Sequence, residues 1–235
     1  MIETKSYFSL KQIALILFMG FLMSSNSLIA KETPDTINGP CISIYSRPVA
    51  LLSDYPSFQF GVDYKLPLNV RFGLVLGYGS FGNAKTDDAV VLDYSLYEFR
   101  PQVQFFILNK NPKLNFGLGV EFVYVDIVSH LGKGKYILSS SSTIEFDEAN
   151  YSERRRLFHF IGSLVFKPKH HFVFETYLGI GFGSKYIEYN EVENATHYYG
   201  GSSWISLPSF SKQESSIGEQ GGLSATIGLK IGYRF

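Results

Sequence analysis

Two glycine-rich stretches have the residue types that hold nucleotides in other proteins. Gly77, Gly79 and Gly82 form a GxGxxG pattern, and residues 179–185 combine three glycines with a lysine. A dinucleotide site needs this pattern between a strand and a helix, so that the helix N-terminus faces the pyrophosphate. The polar residues 83–88 do not predict a helix, and residues 179–185 lack the spacing of a phosphate-binding loop. We therefore expect turn or inward-facing glycines at both places, and no cofactor.

The histidines could serve as metal ligands or catalytic bases. Only His170 and His171 are close in sequence, and neighbours in a turn rarely chelate one ion together. Ser163 and His159 share a face of a predicted strand, but four strand residues separate them by about 13 Å. A nucleophile and its base must lie within hydrogen-bond distance. The sequence therefore predicts no metal site, no catalytic residues and no enzyme activity.

The composition favours strands and argues against a nucleic-acid partner. The chain has 235 residues, with 21 Lys+Arg, 21 Asp+Glu and a formal net charge of zero. A nucleic-acid binder would usually be basic. The 16 Tyr, 21 Phe and 22 Gly suit strands and tight turns better than helices. The one cysteine, Cys41, excludes an intrachain disulfide framework.

The N-terminus has the features of a secretory signal peptide. Lys5 and Lys11 precede the apolar run Ile13–Met23, and Ala30 precedes a polar stretch. The run is shorter than the roughly 20 apolar residues of a membrane-spanning helix. We assign residues 1–30 to the signal peptide and 31–40 to an N-terminal periplasmic segment. The alternative is an uncleaved membrane anchor.

The rest of the chain, residues 41–235, alternates between apolar and polar or small residues with period two, as strands do. The pattern predicts strands at residues 41–49, 57–65, 68–78, 93–107, 113–127, 156–166, 171–187 and 222–235. Their connections alternate between short (66–67, 109–112, 167–170) and long (79–91, 129–152, 190–221). This is typical of an all-β, antiparallel up-and-down transmembrane barrel of eight strands, or of ten if the last long loop contains a hairpin.

In a membrane barrel the apolar face meets lipid and the polar face lines the lumen. The abundant glycines on the polar face fit a crowded interior. Charges in a narrow interior need partners, and we expect Arg100 to pair with Glu121 and Lys230 with Glu175. A soluble lipocalin-like binder with its apolar face inward remains the alternative. The predicted lumen charges are Arg71, Glu98, Arg100, Glu121, Glu175, Lys185, Lys230 and Arg234.

Basic residues near the predicted outer rim form a second candidate site. Arginine forks suit phosphate groups, so these side chains could contact anionic lipid headgroups. A solvated strand end is the plainer interpretation. The residues are Lys133, Lys135, Arg154, Arg155 and Arg156.

The last strand ends on an aromatic residue, with a second aromatic two positions before it and alternating apolar residues upstream. In this it resembles the small outer-membrane β-barrels of Gram-negative bacteria, the OmpA/OmpX-like family, whose last strand carries an assembly signal. The residues that match that signal are Ile227, Leu229, Ile231, Tyr233 and Phe235.

The resemblance implies a monomer in a Gram-negative outer membrane, with lipid and the barrel-assembly machinery as partners. An eight-stranded barrel is filled by its own side chains, so we expect a plugged lumen and a structural, envelope-stabilising or surface-binding role. An extracellular ligand would meet loops 129–152 and 190–221, because rigid scaffolds present binding residues on loops. The alternatives are a narrow porin-like channel and the soluble binder.

Overall fold

The computed structural model describes residues 40–66, 69–80, 84, 88–107, 114–139, 142–166, 171–198 and 217–235. These residues belong to one compact unit, Asn38–Phe235. The predicted signal peptide and nearly all of the segment 31–40 lie outside the described residues. Within the described part of the chain, no helix has the length and apolar character needed to cross a membrane.

Ten strands account for most of the described residues, as the period-two alternation predicts. They are β1 (Cys41–Ser46), β2 (Phe58–Lys65), β3 (Val70–Gly79), β4 (Ala89–Ile107), β5 (Leu114–Ser139), β6 (Ser142–Phe146), β7 (Glu148–Phe166), β8 (Phe172–Glu193), β9 (Thr196–Tyr198) and β10 (Gly218–Arg234).

Eight of these strands close into a ring. The order is β1-β2-β3-β4-β5-β7-β8-β10, every neighbour is antiparallel, and β10 returns to β1. The predicted all-β, antiparallel up-and-down barrel is therefore confirmed, with eight strands in the ring. Strand β6 pairs with β5, and β9 pairs with β6, so both lie outside the ring of eight.

The strands on the long-connection side extend much further than predicted. Residues 129–152, predicted as a loop, contain the end of β5, all of β6 and the start of β7. Residues 190–221 contain the end of β8, β9 and the start of β10. We call residues 89–96, 125–139, 142–155 and 185–198 the extension. Its interior is a buried cluster of apolar and aromatic side chains that includes Ile127, Tyr136, Phe146 and Ile187.

The two faces of β5 exchange polarity along its length. In its lower part, Leu118 and Phe122 point outwards with 50% and 40% of their surface exposed, while Glu121 is fully buried inside. In the extension the inward positions are apolar, with Val125 and Ile127 buried. The same strand therefore has an apolar outer face below and an apolar inner face above. A pattern search that expects one apolar face ends the strand at this exchange.

The connection between β1 and β2 folds over the ring. β1 ends at Ser46, earlier than the predicted residue 49, and a 3-10 helix follows at Pro48–Leu52. Pro48 has no backbone N–H to continue a ladder. Arg47 turns inward and is 2% exposed. Further along, the buried Tyr55 meets Tyr94 of β4 edge to face at 5.5 Å.

The seam between the first and last strands is short. Only residues Ser43–Ser46 of β1 pair with β10, at Ile231–Arg234. On its other side, β10 pairs with β8 along its length from Gly218 to Tyr233. Among the described strands, residues 218–230 of β10 therefore pair with β8 and with no second strand. The ring is closed at its lower end by four residue pairs.

Candidate functional site

A cluster of four charged side chains crosses the lower part of the barrel interior. Arg71 contacts Asp63 at 3.2 Å and Glu175 at 2.7 Å. Lys230 lies 3.2 Å from Glu175 and 3.8 Å from Asp63. β3 and β8, which carry Arg71 and Glu175, are opposite each other in the ring. We call Asp63, Arg71, Glu175 and Lys230 the lower cluster.

A second cluster lies one layer above. Glu121 is 2.8 Å from Arg47 and 3.1 Å from Arg100. Arg100 also pairs with Glu98, which accepts a hydrogen bond from Gln59. Glu121 on β5 is again opposite the strand, β1, that leads into Arg47. We call Arg47, Glu98, Arg100, Glu121 and the adjacent His159 the upper cluster.

Aromatic rings and amides fill the space between the two clusters. The Lys230 ammonium lies 4.7 Å from the Tyr45 ring centroid, and the Arg47 guanidinium lies 4.8 Å from that of Tyr177. Cations near ring faces gain electrostatic stabilisation, particularly when they are desolvated. Gln102 donates to Asp63 at 2.9 Å and to the Tyr45 hydroxyl at 3.0 Å.

Glycines on the inner face make room for these side chains. A Cβ added at Gly73 would overlap the Asp63 carboxylate and the Gln102 amide. A Cβ added at Gly181 would overlap the carbonyl oxygen of Phe158. A side chain at position 181 would therefore overlap backbone, while one at position 73 would displace the Asp63 and Gln102 side chains.

The structure brings together most of the residues predicted for the lumen. Arg100 meets Glu121 and Lys230 meets Glu175, the two pairs that equal depth on neighbouring strands predicts. Lys185 and Arg234 are half-buried and lie on the inward-facing side of β8 and β10, nearer the two ends of the ring. The predicted set divides into two clusters with an outlying cation at each end.

Sequence reasoning missed three members of these clusters. Asp63 lies on the polar face of a correctly predicted strand, so its alternation could have identified it. Arg47 falls within the predicted first strand, and no sequence pattern indicates that the chain turns inward there. For His159 the sequence suggested only Ser163 as a partner.

His159 is the histidine that the sequence analysis considered as a catalytic base. Its Nε2 lies 2.9 Å from the Ser224 hydroxyl, and its Nδ1 lies 3.8 Å from Glu121. Ser163 instead donates to Gln104 at 3.4 Å. A Ser-His-acid triad needs a hydrogen bond between Nδ1 and the carboxylate. The 3.8 Å separation is longer than such a bond, and two arginines hold the Glu121 carboxylate.

The structure also describes most of the residues that were considered as metal ligands or as a nucleotide site. Within the described ranges, no three His, Cys, Asp or Glu side chains are placed to hold a metal ion. His171 stacks on Tyr233 at 5.2 Å, and His170 lies outside the described residues. Gly77 and Gly79 are part of β3, while Gly82 lies outside the described residues.

The basic rim site is only partly formed. Arg154 and Arg156 point outwards and are exposed just above the outward Phe158 and Phe160. The prediction for Arg155 is wrong, because alternation turns its side chain inward to pair with Glu153. Lys133 and Lys135 are exposed but do not join the rim. Asp126, the partner of Arg154, lies seven residues before Lys133, about 23 Å along β5.

Glu153 anchors the interior of the extension. It is 1% exposed and accepts hydrogen bonds from Arg155 and from the Tyr151 hydroxyl. Burial by itself raises the pKa of this carboxyl, but the charge and hydrogen bonds of its partners outweigh burial and hold the pKa below the ordinary 4.5. Glu153 therefore stays ionised beside Arg155, within an interior made mostly of apolar and aromatic side chains.

Comparisons with known proteins found similarity in structure only. No protein-family model matches the chain, and no curated protein matches it. A major outer membrane protein from Thermus thermophilus aligns with a TM-score of 0.44 at 10% identity, over 83% of this chain and 98% of that one. CarO from Acinetobacter baumannii aligns with a TM-score of 0.41 at 7% identity, over 84% and 97%.

The lower cluster should show strong coupling between Lys230 and Glu175. Removing one partner of a buried pair costs about 3 kcal/mol, because the other charge is left in a site that water cannot reach. We expect Lys230→Met and Glu175→Gln each to lower the free energy of unfolding by about that amount, and the double variant to lose clearly less than their sum. Urea titration of the folded barrel in detergent, read by gel mobility, measures this. The exposed Lys133→Met is the control, and strictly additive losses would contradict the coupling.

Glu153 should make the extension sensitive to acid. Because its pKa is lowered by folding, ionised Glu153 stabilises the folded state above pH 4.5, and this contribution is lost as the pH falls further. Cleavage of the extension by pepsin should therefore rise in the wild type as the pH falls from about 5 to about 3. Glu153→Gln should be cleaved more readily at the upper end and change less with pH. Glu193→Gln, at an exposed position, should behave as the wild type; an equally steep profile for Glu153→Gln would contradict the assignment.

Proposed function

We propose that this chain is an integral outer-membrane β-barrel with a plugged lumen and a structural or surface-binding role. One observation carries the proposal: the ring is charged inside and apolar outside. Leu223, Ile227 and Ile180 have 74%, 80% and 70% of their surface exposed on the outer face. A continuous apolar belt of this kind is unfavourable in water and favourable in a hydrocarbon layer.

Aromatic side chains at both edges of the belt support membrane insertion. Tyr78 and Tyr97 point outwards near its upper edge, with ring centroids 5.3 Å apart. Tyr186 pairs across the strands with Arg154, and both side chains are exposed. At the lower edge, Tyr233 contacts Phe235 at 5.0 Å. Aromatic girdles and arginines at headgroup depth are typical of membrane barrels.

The two charge clusters support a plug rather than a channel. Arg71–Glu175 and Arg47–Glu121 each join opposite sides of the ring, so side chains cross the lumen at two depths. Four cationic and four anionic groups meet in the described part of these clusters, with His159 beside them. Each of these eight charges lies close to an opposite charge, so the described side chains of the two clusters form no row of unpaired charges that an ion could follow.

The terminal strand supports delivery by the barrel-assembly machinery of a Gram-negative cell. Alternate residues of its last part, from Ile227 to Phe235, lie on the outer face, where a partner in the membrane can reach them. Together with the ring of eight strands, this motif is what supports an OmpA/OmpX-like relationship. No second chain is needed to close the ring, which is consistent with a monomer.

The extension supports a role at the cell surface. Its interior is an apolar cluster with a charged anchor at Glu153, so it stands above the belt as ordered sheet. The segments 129–152 and 190–221, predicted as binding loops, supply much of this sheet. An extracellular ligand would therefore meet strand faces and edges as well as loops.

Membrane insertion is tested by charging one exposed aliphatic residue inside the belt and one above it. Ile227→Arg should cost about 2–4 kcal/mol in a lipid-facing position and strongly reduce folded barrel in the outer membrane. Val128→Arg, at an outward and exposed position of the extension, should leave the yield unchanged. Membrane fractionation with a heat-modifiability gel measures both. Equal yields, with the protein in the soluble periplasmic fraction, would favour the lipocalin-like binder.

The plug is tested by planar-bilayer recording. The wild type should insert without conductance steps, because side chains bridge the lumen at two depths. Replacing both bridging pairs with serine, Arg47 with Glu121 and Arg71 with Glu175, should allow small steps if the variant retains the folded gel mobility. Regular steps from the wild type would support the narrow channel instead, whatever the variant does.

The assembly signal is tested by removing Phe235. The deletion should lower the amount of folded barrel in cells while leaving refolding of the purified protein into detergent intact. The second measurement separates recognition by the assembly machinery from stability of the fold. Normal assembly in cells would contradict the proposed signal.

A further inference from the structure

The upper part of β10 has an open backbone edge. At the seam, the Arg234 N–H donates to the His171 carbonyl on the β8 side at 2.7 Å. The next N–H, that of Phe235, donates to the Ile42 carbonyl on the β1 side at 2.9 Å. Successive residues of an antiparallel strand point their backbone groups to opposite neighbours, and the pairing of β10 with β8 has no register shift. Odd-numbered residues therefore direct N–H and C=O away from β8. Above the seam no described strand pairs with those residues, which are Glu219, Gly221, Leu223, Ala225, Ile227 and Leu229.

The 3-10 helix Pro48–Leu52 lies beside this edge but does not complete the ladder. Continuing the register of the seam would place Pro48 opposite Leu229 and Ala50 opposite Ile227. Pro48 has no N–H to donate. The N–H and C=O of Ala50 are both bonded within the connection between β1 and β2. The helix therefore offers no backbone partner at these two positions.

The open edge lies at the depth of the apolar belt. Leu223 and Ile227 belong to both, and across the gap Leu52 of the 3-10 helix is 86% exposed. In hydrocarbon, an unpaired N–H or C=O has no water to bond and is strongly unfavourable. Irregular or unpaired backbone at this depth is tolerated where it lines a space that supplies hydrogen-bond partners. Such a space should therefore adjoin the edge.

The interior beside the edge is incompletely packed. Leu157 and Gly183, inward neighbours at this level, are half-buried. The inward side chain of Arg155, one layer higher, keeps 34% of its surface exposed even though it pairs with Glu153. A Cβ added at Gly222, on the inner face of β10, would find no atom within 4 Å. Open space inside the ring thus coincides with the gap in its wall.

We propose that the gap between β10 and the 3-10 helix is a lateral portal that holds a single-chain amphiphile from the membrane. Its hydrogen-bonding head, such as the glycerol of a monoacylglycerol, lies in the space beside Gly222 and bonds the backbone groups of Gly221 and Leu223. Its alkyl chain runs outward over Ile227 and Leu52. The upper cluster closes the interior below, so the portal leads to a binding site and not through the barrel.

The chemistry of the edge favours this occupant over a peptide strand. An added strand would bond β10, but its own far edge would then face the same hydrocarbon, so an open edge would remain. An alkyl chain alone has no donor or acceptor for the edge. A head with hydroxyl groups has both, and its chain replaces the missing apolar wall. The proposal rests on the membrane insertion proposed above.

Entry from lipid is measured by labelling single cysteines in phosphatidylcholine vesicles, in a Cys41→Ser background. The reagents are N-dodecylmaleimide, which concentrates in hydrocarbon, and water-soluble N-methylmaleimide. The ratio of their labelling rates at Gly222→Cys should exceed that at the water-exposed Lys133→Cys by about tenfold or more, because each methylene favours transfer into the bilayer. Thr226→Cys, inward on the same edge, repeats the test if the first variant lacks the folded gel mobility.

Two further positions separate the possible failures. Ile180→Cys, on the lipid-facing side, should give a high ratio, and the buried inward Ser163→Cys should react with neither reagent. A ratio at position 222 equal to that at position 133, beside a high ratio at position 180, would overturn the portal and leave membrane insertion standing. So would a thiol at position 222 as unreactive as that of Ser163→Cys. A ratio at position 180 equal to that at position 133 would overturn both proposals.

Occupancy is measured by protection. Adding 1-dodecanoylglycerol to the vesicles should slow dodecylmaleimide labelling at position 222 more than at position 180, where the thiol reports only dilution of the reagent in lipid. Dodecane, which lacks the hydrogen-bonding head, should slow both positions equally. Equal slowing of the two positions by 1-dodecanoylglycerol would overturn the proposal.

Discussion

The fold depends on charge pairing inside a ring of only eight strands. A ring of that size brings side chains from opposite strands into contact, as Arg71 and Glu175 show at 2.7 Å. Both side chains are largely buried, so each is stabilised by a counterion on another strand. These contacts therefore hold strands at matching depths. The pairing is as much a constraint on register as a source of stability.

The packing of the interior also determines where glycines lie on the strands. Gly73 and Gly181 occupy positions where a methyl group would displace a neighbouring carboxylate or carbonyl. The tyrosines at positions 45 and 177 fill the remaining space and face the cations directly. The charged side chains, the tyrosines and the glycines of the interior therefore pack as one unit. A change in one requires a change in the others.

Alternation in the sequence predicts the ring because one rule governs its lower part: apolar outside, polar inside. The rule reverses in the extension, where Val125 and Ile127 are inside. Beyond these residues the same pattern predicts a loop at 129–152 in place of the end of β5, β6 and the start of β7. Arg47 was missed for a different reason. Its position depends on a turn that brings a loop residue against Glu121 from across the barrel, a contact between residues far apart in sequence. Period and propensity describe local structure, and neither contains that information.

Seven of the eight interfaces in the ring join strands that follow one another along the chain, or nearly so. The seam between β1 and β10 joins the two ends of the barrel through four residue pairs and the bond from the Phe235 amide to the Ile42 carbonyl at 2.9 Å. Closing so long a loop costs chain entropy before the contacts at the seam compensate for it. Once the ring has closed, the first and last strands are antiparallel neighbours, but they share only four residue pairs. The two ends of the barrel therefore meet where the ring has the fewest backbone pairs.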